Sequence, residues 1–375
     1  MRTAIISDSH LGLVAGGDVL RNPEVRALLL ERLAGAERVV LLGDVVELRD
    51  LPIGPALAAA RPFFEELGAA VGDIEVVLVP GNHDHRFAEP LLDQLSMAGA
   101  GPLGLEQSAD PSPGPLAQID EWLGPARLRI AYPGLWLRED VYALHGHYLD
   151  AHLRLPRAEC LAVATISRLA GPVPDPATPA DYERRLRPVY GLGYGIAQVR
   201  PAPVVRSQAN TSESAWRVLA GQANGGGPAR RAWVTAARVG FPAGIWALNR
   251  LLHADFDPDI TPAAIFTGSL DAAGEMARRL GLGDGHVIVG HTHRAGPLPS
   301  EAEWELPGGG RLHNTGSWVF ASIFHHPGEP PSPYWPGTLT WLDDEGPPRR
   351  EALLRDLGHE EMMELVRQGR RALTS

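Results

Sequence analysis

The sequence predicts an α/β fold in which a layered β-sheet is flanked by helices. Two observations predict this class: short apolar runs typical of strands alternate with stretches of helical periodicity, and the apolar runs end in polar side chains. The first run begins at Thr3 and leads directly into Asp8 and His10. Ligands of such sheets bind beyond the carboxyl ends of the strands, so these side chains mark a candidate site.

The first 150 residues predict a β-α-β-α-β alternation followed by two further strands. Helices packed on a sheet with much parallel pairing give this pattern. The predicted elements, in order, are a strand that begins at residue 3, a helix at 23–35, a strand at 38–42, a helix at 53–71, a strand at 74–79, a helix at 88–99, a loop at 99–115, and strands at 127–133 and 135–145 around a turn at Pro133-Gly134.

The next core strand is predicted only at 286–289, and the long stretch before it is rich in helical periodicity. Helical stretches at 156–170, 179–187, 212–219 and 230–252 are separated by Pro- and Gly-rich loops. We therefore predict an inserted helical cap at 151–256. The catalytic domain is expected to comprise 1–150 and 257–347, with a hairpin at 301–315 and a strand at 338–343, followed by a C-terminal helix at 348–375.

The charge distribution separates the cap from the rest of the chain. The net charge is −11, yet 151–254 holds 13 Arg against five acidic residues, a balance of 13 − 5 = +8. An acidic body does not suit a protein that grips many phosphates, so nucleic acid is not expected as a partner.

No apolar window of membrane-spanning length occurs, and the first strand begins too early to leave room for a signal peptide. With Cys160 as the single cysteine, no intramolecular disulfide forms, and we expect a cytoplasmic protein. The apolar stripe of the helix at 230–252 packs on the body or faces a lipid surface, which leaves peripheral contact with a membrane open.

Four more apolar runs end in side chains that bind metal ions. These groups are Gly43-Asp44, Gly81-Asn82-His83-Asp84, His145-Gly146-His147 and Gly290-His291-Thr292-His293. Together with Asp8 and His10 they predict one site at which five strand ends converge. Carboxylates, imidazoles and an amide oxygen suit manganese, iron or zinc better than calcium.

The five motifs, in this order and with these glycines, resemble the calcineurin-like metallophosphoesterase family. The resemblance covers about 1–150 and 285–320, and Asn314-Thr315-Gly316-Ser317 also resembles the continuation found in the family. It implies two divalent transition-metal ions, with manganese expected first and iron or zinc as alternatives. By this resemblance one ion is held by Asp8, His10 and His293, and the other by Asn82, His145 and His291, with Asp44 as the bridge.

The resemblance also implies that His83 is a catalytic acid rather than a ligand. It would stabilise the phosphoryl charge and protonate the leaving oxygen after attack by metal-bound hydroxide. A carboxylate should orient this imidazole, and the sequence offers two, Glu47 and Asp84. The GD-x-x-E pattern resembles the subgroup that cleaves the pyrophosphate of UDP-diacylglucosamine. This chain departs from that subgroup at His83, where Arg is usual, and in its longer insertion.

Two interpretations are open for several other polar residues near the motifs. His85 and His147 either orient the ligands by hydrogen bonds or are ordinary buried or surface histidines. Arg49, Arg86 and Arg294 either clamp a second phosphate or lie on a solvated surface. We expect His325-His326 on a surface loop and Cys160 as a small buried side chain.

The leading hypothesis is a metal-dependent phosphoesterase that hydrolyses a phosphoester or pyrophosphate bond of a small or lipid-linked anionic substrate. Two alternatives are a non-catalytic metal-binding module that uses the cap to bind a partner, and a nuclease of the same fold.

Overall fold

The computed structural model describes residues 1–99, 101–199, 228–325, 328 and 331–372, with the backbone alone for 228–239, 323 and 370–372. The strands are β1 (Thr3–Ile6), β2 (Arg38–Leu42), β3 (Glu75–Val79), β4 (Glu106–Ala109), β5 (Arg127–Arg138), β6 (Val141–Leu144), β7 (His286–Val289), β8 (Trp304–Glu305), β9 (Arg311–Asn314), β10 (Thr338–Leu342) and β11 (Arg349–Ala352). The α-helices are α1 (Pro23–Leu33), α2 (Ile53–Val71), α3 (Glu89–Ala98), α4 (Pro115–Leu123), α5 (Ala158–Ala170), α6 (Pro179–Val199), α7 (Pro228–Leu252), α8 (Pro262–Arg279) and α9 (His359–Ala372).

The strands form one sheet in the order β11-β10-β1-β2-β3-β5-β6-β7-β9-β8, with β4 paired to β5. β1, β2, β3 and β5 pair in parallel, as do β6, β7 and β9. The antiparallel pair of β5 with β6 joins these two parallel halves, and a register irregularity near Trp136 interrupts it. β5 therefore belongs to both halves of the sheet.

Apolar side chains of both halves meet in one buried cluster, so the sheet curls on itself. Val40 of β2 and Leu342 of β10 share this cluster with Ile288 of β7. The neighbouring residues Val39 and Leu41 point to the other face, where they pack with helices. This alternation is the two-residue period of a strand, and it buries both faces of β2.

The second cluster joins the cap helices to β6, β7 and β9. It contains Tyr182 and Tyr190 of α6 together with Ile245 of α7 and Met276 of α8. The long connection between β6 and β7 thus packs on the second half of the sheet. It contains α8 in addition to the helices expected in the cap, and the cap boundaries at 151–256 stay a prediction.

Several predicted elements differ from the structure. The prediction of two strands separated by a turn at Pro133 is wrong, because β5 continues through Pro133 to Arg138 and the chain turns between Arg138 and β6. The predicted loop at 99–115 contains β4, and α4 and α8 had no counterpart in the sequence analysis. The C-terminal helix predicted from 348 is also wrong at its start, because β11 extends β10 before α9 begins at His359. The helix predicted at 212–219 lies outside the described residues.

Within the described part of the chain, no helix combines the length and apolar character needed to cross a bilayer.

Candidate metal centre

The predicted ligands lie in the loops that follow β1, β2, β3, β6 and β7. Many of them adopt a backbone conformation that non-glycine residues avoid. Asp8, His10, Asp44, His291 and His293 all have positive φ, between 43° and 66°. Such a residue costs about 1–3 kcal/mol and persists only where its surroundings impose it, which is common at functional sites.

Two glycines allow these loops to approach one another. Gly43 has a φ of 83°, and a Cβ atom there would overlap the imidazole of His145. A Cβ atom on Gly81 would overlap the carboxylate of Asp44. The glycines that precede these motif residues therefore leave room for the side chains of other loops.

The first group of ligand atoms comes from the loops after β1 and β7. The ligand atoms of Asp8, His10 and His293 lie within 4.8 Å of one another. His293 Nε2 is 3.3 Å from Asp8 Oδ1 and 3.2 Å from His10 Nε2. Carboxylate and imidazole atoms at this spacing can share one cation.

The second group comes from the loops after β2, β3, β6 and β7. The ligand atoms of Asp44, His145 and His291 lie within 4.8 Å of one another. Asn82 Oδ1 is 3.3 Å from His145 Nε2 and 3.0 Å from His291 Nδ1. Asp44 Oδ2 lies 3.1 Å from His145 Nε2 and 3.6 Å from His10 Nε2, so this carboxylate reaches both groups.

Contacts on the outer side of the imidazoles fix which nitrogen faces inward. His145 Nδ1 donates to the carbonyl oxygen of Leu42 at 2.9 Å, which leaves the Nε2 lone pair directed at the site. His291 Nε2 is held by Asp150 Oδ1 at 3.0 Å, which leaves Nδ1 inward. Carboxylate and carbonyl partners of this kind set the tautomer of metal-binding histidines.

The donor set fits a metal ion, and the Asn82 amide is the clearest test. With its oxygen inward, this amide faces two imidazole nitrogens whose lone pairs also point inward, and a cation would satisfy all three atoms. With its nitrogen inward, the two N–H groups of the same amide would donate to His291 Nδ1 at 3.0 Å and to Asp44 Oδ2 at 3.2 Å. The Asn82 side chain therefore fits the site with a metal ion, where its oxygen would face the cation, and the site without one, where its nitrogen would face the other ligands.

Glu47 is the carboxylate that contacts His83. It is fully buried, and its Oε2 lies 2.7 Å from Nδ1 of His83 and 2.8 Å from Nδ1 of His10. One carboxylate therefore orients a predicted ligand and the predicted acid. Because Nδ1 of His83 is engaged, its Nε2 is the nitrogen left for a substrate, and the side chain is 27% exposed.

Asp84 holds the backbone of two loops instead. Its carboxylate accepts from the backbone N–H of Gly81 at 2.6 Å, of Val45 at 2.7 Å and of Asp44 at 3.2 Å. The backbone N–H of His83 in turn donates to Asp44 Oδ1 at 2.8 Å. Asp84 thereby joins the loop after β2 to the loop after β3 and does not touch the imidazole of His83 through any described hydrogen bond.

The charges at the site are strongly coupled. Burial disfavours the charged form of His10, but the hydrogen bond to Glu47 and the charge of Asp44 raise its pKa to about 9 overall. Burial also opposes the charge of His145, while Asp44 and Asp8 raise its pKa to about 10. Against burial, His145 and His83 lower the pKa of Asp44 well below its ordinary value. Without metal ions, protonated imidazoles therefore neutralise these carboxylates, and protons compete with cations.

His85 and His147 lie beside the site in a buried network of Tyr and Glu side chains. Glu183 of α6 lies 3.0 Å from His85 Nε2 and accepts from the hydroxyls of Tyr132 at 2.5 Å and Tyr148 at 2.6 Å. His147 Nε2 lies 3.2 Å from the Tyr132 hydroxyl. Neither histidine makes a described hydrogen bond to a predicted ligand, so both link the motif loops to α6 instead.

Sequence reasoning missed Asp150 and Glu183. Asp150 contacts His291 and Glu183 contacts His85, yet neither belongs to a short motif. Each is an acidic residue among buried neighbours. This can be recognised only once the packing of the 3-10 turn at 147–151 and of α6 is known.

The other residues singled out in the sequence have specific surroundings. Arg49 pairs with Glu159 of α5 at 2.7 Å, and Arg294 pairs with Glu301. Arg86 is exposed, and its guanidinium lies 5.9 Å from the ring centroid of Tyr194. Cys160 is buried, as predicted. The surface position predicted for His325 is wrong, because its ring is buried and stacks on Phe320 at 4.8 Å; His326 lies outside the described residues.

Comparison with known proteins agrees with this site. Residues 1–176 match the model of the calcineurin-like phosphoesterases. Taken with this match, the curled α/β sheet and its cluster of carboxylate, imidazole and amide ligands define a metal-dependent phosphoester hydrolase. This match over residues 1–176 confirms the resemblance seen in the motifs.

Two further comparisons add little. The search of solved structures found a dimetal phosphatase from Danio rerio with 12% sequence identity and a TM-score of 0.26, covering 91% of this chain and 95% of that one. A likeness this weak does not bear on the fold. The search of curated proteins found no match.

Proposed function

We propose that the chain uses two divalent metal ions to hydrolyse a phosphoester or pyrophosphate bond of a small or lipid-linked anionic substrate. The observation that carries the proposal is the position of His83, whose Nδ1 is held by the buried Glu47 while its Nε2 remains open beside the two ligand groups. Asp8, His10 and His293 would hold one ion, Asn82, His145 and His291 the other, and Asp44 would bridge them.

Bound cations would neutralise the phosphoryl oxygens and lower the pKa of a water molecule at the site. The protein's own contribution is to hold the ligands and the acid in place. Glu47 Oε2 holds Nδ1 of His83 at 2.7 Å, which fixes the ring so that its Nε2 faces the site. From there the Nε2–H of His83 would donate to the leaving oxygen and deliver its proton as the bond breaks.

The charge distribution supports a small or lipid-linked substrate over nucleic acid. The body of the chain is acidic, and the excess of Arg is confined to 151–254. The cap also exposes large apolar side chains: Leu192 and Val199 of α6 are 63% and 81% exposed, and Trp246 of α7 is 68% exposed. Exposed apolar side chains in a segment with an excess of Arg suit contact with an anionic lipid surface.

Hydrolysis of an aryl phosphate in the presence of Mn²⁺ tests the proposed function. Asp44→Asn keeps the side-chain volume and removes the charge, and we expect it and His145→Ala to abolish turnover while circular dichroism stays unchanged. Full activity in either variant would rule out this centre. Cleavage of DNA far faster than of small phosphodiesters would instead favour a nuclease.

A further inference from the structure

A groove of about 250 Å³ opens beside His83, between the 3-10 turn His85–Phe87 and α6. Asn82, His83 and Arg86 line one side, and Tyr190, Gly191 and Tyr194 of α6 line the other. A larger cavity of about 860 Å³ lies between α5, α7 and α8, but neither His83 nor any predicted ligand lines it. Of these two cavities, the smaller groove is therefore the one that His83 lines.

The two walls of the groove are tied together by ion pairs, one of which is buried. Glu183 of α6 holds His85 at 3.0 Å, and Arg187, one turn further along α6, pairs with Glu89. His85 also lies 3.3 Å from Glu89. These contacts sit just before the groove-lining residues of α6, so the width of the groove is set by fixed elements on both sides.

Arg86 is the cation that faces this groove. In the 3-10 turn, His85 and Phe87 point into the core, which leaves the side chain between them exposed. Within the described residues, no carboxylate lies within ion-pairing distance of Arg86, whereas Arg49 and Arg294 are each paired with a glutamate. An unpaired guanidinium at the edge of a catalytic site is a ready partner for an anion.

Glu89 also lines the groove and would repel an anion if its charge were uncompensated. Its carboxylate is already engaged by Arg187 and His85. The charge that remains free toward the groove is therefore that of Arg86.

We propose that this groove binds the leaving group of the substrate and that Arg86 recognises a second anionic group on it, a phosphate or a carboxylate. The inference rests on the proposed function and narrows its substrate class to phosphoesters or pyrophosphates whose leaving group carries its own negative charge. Arg86 is then a specificity residue that contacts the part of the substrate beyond the scissile bond.

Two phosphonates that cannot be hydrolysed test the inference by binding alone. 4-Methylbenzyl phosphonate and 4-(carboxymethyl)benzyl phosphonate differ by one carboxylate, which a methylene group separates from the ring. Calorimetry on the Mn²⁺-loaded protein should give about tenfold tighter binding of the carboxylated compound. Arg86→Gln should remove this preference, and the matched control Arg184→Gln, on an exposed position of α6, should keep it.

Filling the groove gives an independent test. A Cβ atom at Gly191 would meet no atom within 4 Å, and the same holds for Gly195, one turn further along α6 and outside the groove. Gly191→Leu should weaken binding of both phosphonates about tenfold or more, whereas Gly195→Leu should not. Both variants place the same side chain on the same helix, so a general effect on α6 would appear in both.

Equal affinity of the wild-type protein for the two phosphonates would overturn the inference, as would a preference unchanged by Arg86→Gln. The corresponding aryl phosphates are assayed for turnover in parallel. Selective binding without any metal-dependent turnover would support the groove and contradict the proposed function, so the two failures are distinct.

Discussion

Glu47 Oε2 lies 2.7 Å from Nδ1 of His83, and no water-exposed surface remains on Glu47. A buried carboxylate in this position fixes the orientation of the ring. Burial alone would raise the pKa of Glu47, but His83 and His10 lower it well below its ordinary value. Glu47 is therefore charged at neutral pH, as its role toward both imidazoles requires.

Glu47→Gln should lower the turnover number of aryl phosphate hydrolysis by roughly 10- to 100-fold, as is typical when the partner of a site histidine is removed. The amide retains the volume of the side chain but not the negative charge that holds Nδ1 of His83. Steady-state kinetics at saturating Mn²⁺ measures the change. Wild-type turnover in this variant would exclude Glu47 as the orienting group.

Asp84→Asn provides the contrast, because Asp84 accepts backbone N–H groups and does not contact the His83 ring. We expect its main effect on the melting temperature, since an amide can accept through only one oxygen and leaves buried N–H groups without a partner. A kinetic defect equal to that of Glu47→Gln at unchanged stability would contradict this division of roles.

The proposed ligand assignment predicts which metal each variant loses. His293→Ala removes a ligand of the first group, and Asn82→Ala removes a ligand of the second. Each should retain about one tightly bound ion per chain after dialysis, against about two in the wild-type protein. Elemental analysis of the dialysed proteins gives the stoichiometry, and two ions in both variants would refute the assignment.

The strand ends were predictable from the sequence because apolar runs and motif residues are adjacent in the chain. Asp44 and His145 could thus be assigned to one site before their 3.1 Å contact was known. The choice between Glu47 and Asp84 could not be made, because it depends on which way two neighbouring loops turn. Asp84 adjoins His83 in sequence and Glu47 precedes it by 36 residues, and only the hydrogen bonds show which carboxylate contacts the ring.

Elements whose structure depends on contacts with residues distant in sequence were missed or were predicted at the wrong place. Pro133 suggested a turn, yet β5 continues through it, since tertiary pairing with β4 and β6 outweighs the local preference. β11 carries Arg and Glu residues typical of a charged helix, and its pairing with β10 makes it a strand. In the same way, Glu183 became a partner of His85 only through the docking of α6.

We expect His85 to make the free energy of unfolding depend on pH in the alkaline range. Burial lowers its pKa, but Glu183 and Glu89 more than offset this and raise the pKa from 6.5 to about 9. A raised pKa contributes stability that is fully present below pH 6.5 and lost as the pH rises through about 9. Melting temperatures between pH 6 and 10 should therefore fall more steeply for the wild-type protein than for His85→Gln.

Other groups titrate in the same interval, among them His10 and His145, so the difference between the two proteins is the informative quantity. Glu89 behaves oppositely: burial disfavours its charge, yet His85 and Arg187 lower its pKa to about 2, so its contribution is lost only in acid. Parallel melting curves for wild type and His85→Gln from pH 6 to 10 would show that the His85–Glu183 pair adds no stability.

The exposed stripe of α6 predicts binding to anionic lipid vesicles. Leu192, Ile196 and Val199 lie on one face at helical spacing and are 63%, 37% and 81% exposed. Within the described residues, they are not packed in any core cluster. Leu192→Glu with Ile196→Glu replaces two of these apolar contacts by charges that an anionic surface repels.

Co-sedimentation of the double variant with phosphatidylglycerol vesicles should therefore fall at least tenfold. Its hydrolysis of a soluble aryl phosphate should stay near the wild-type rate, because α6 presents its opposite face to His83 through Tyr190. Met97→Glu is the matched control, since Met97 is 83% exposed but lies on α3, outside the cap. Equal loss of binding in the control would mean that charge alone governs the interaction. Undiminished binding of the double variant would exclude the α6 stripe as the lipid-facing surface.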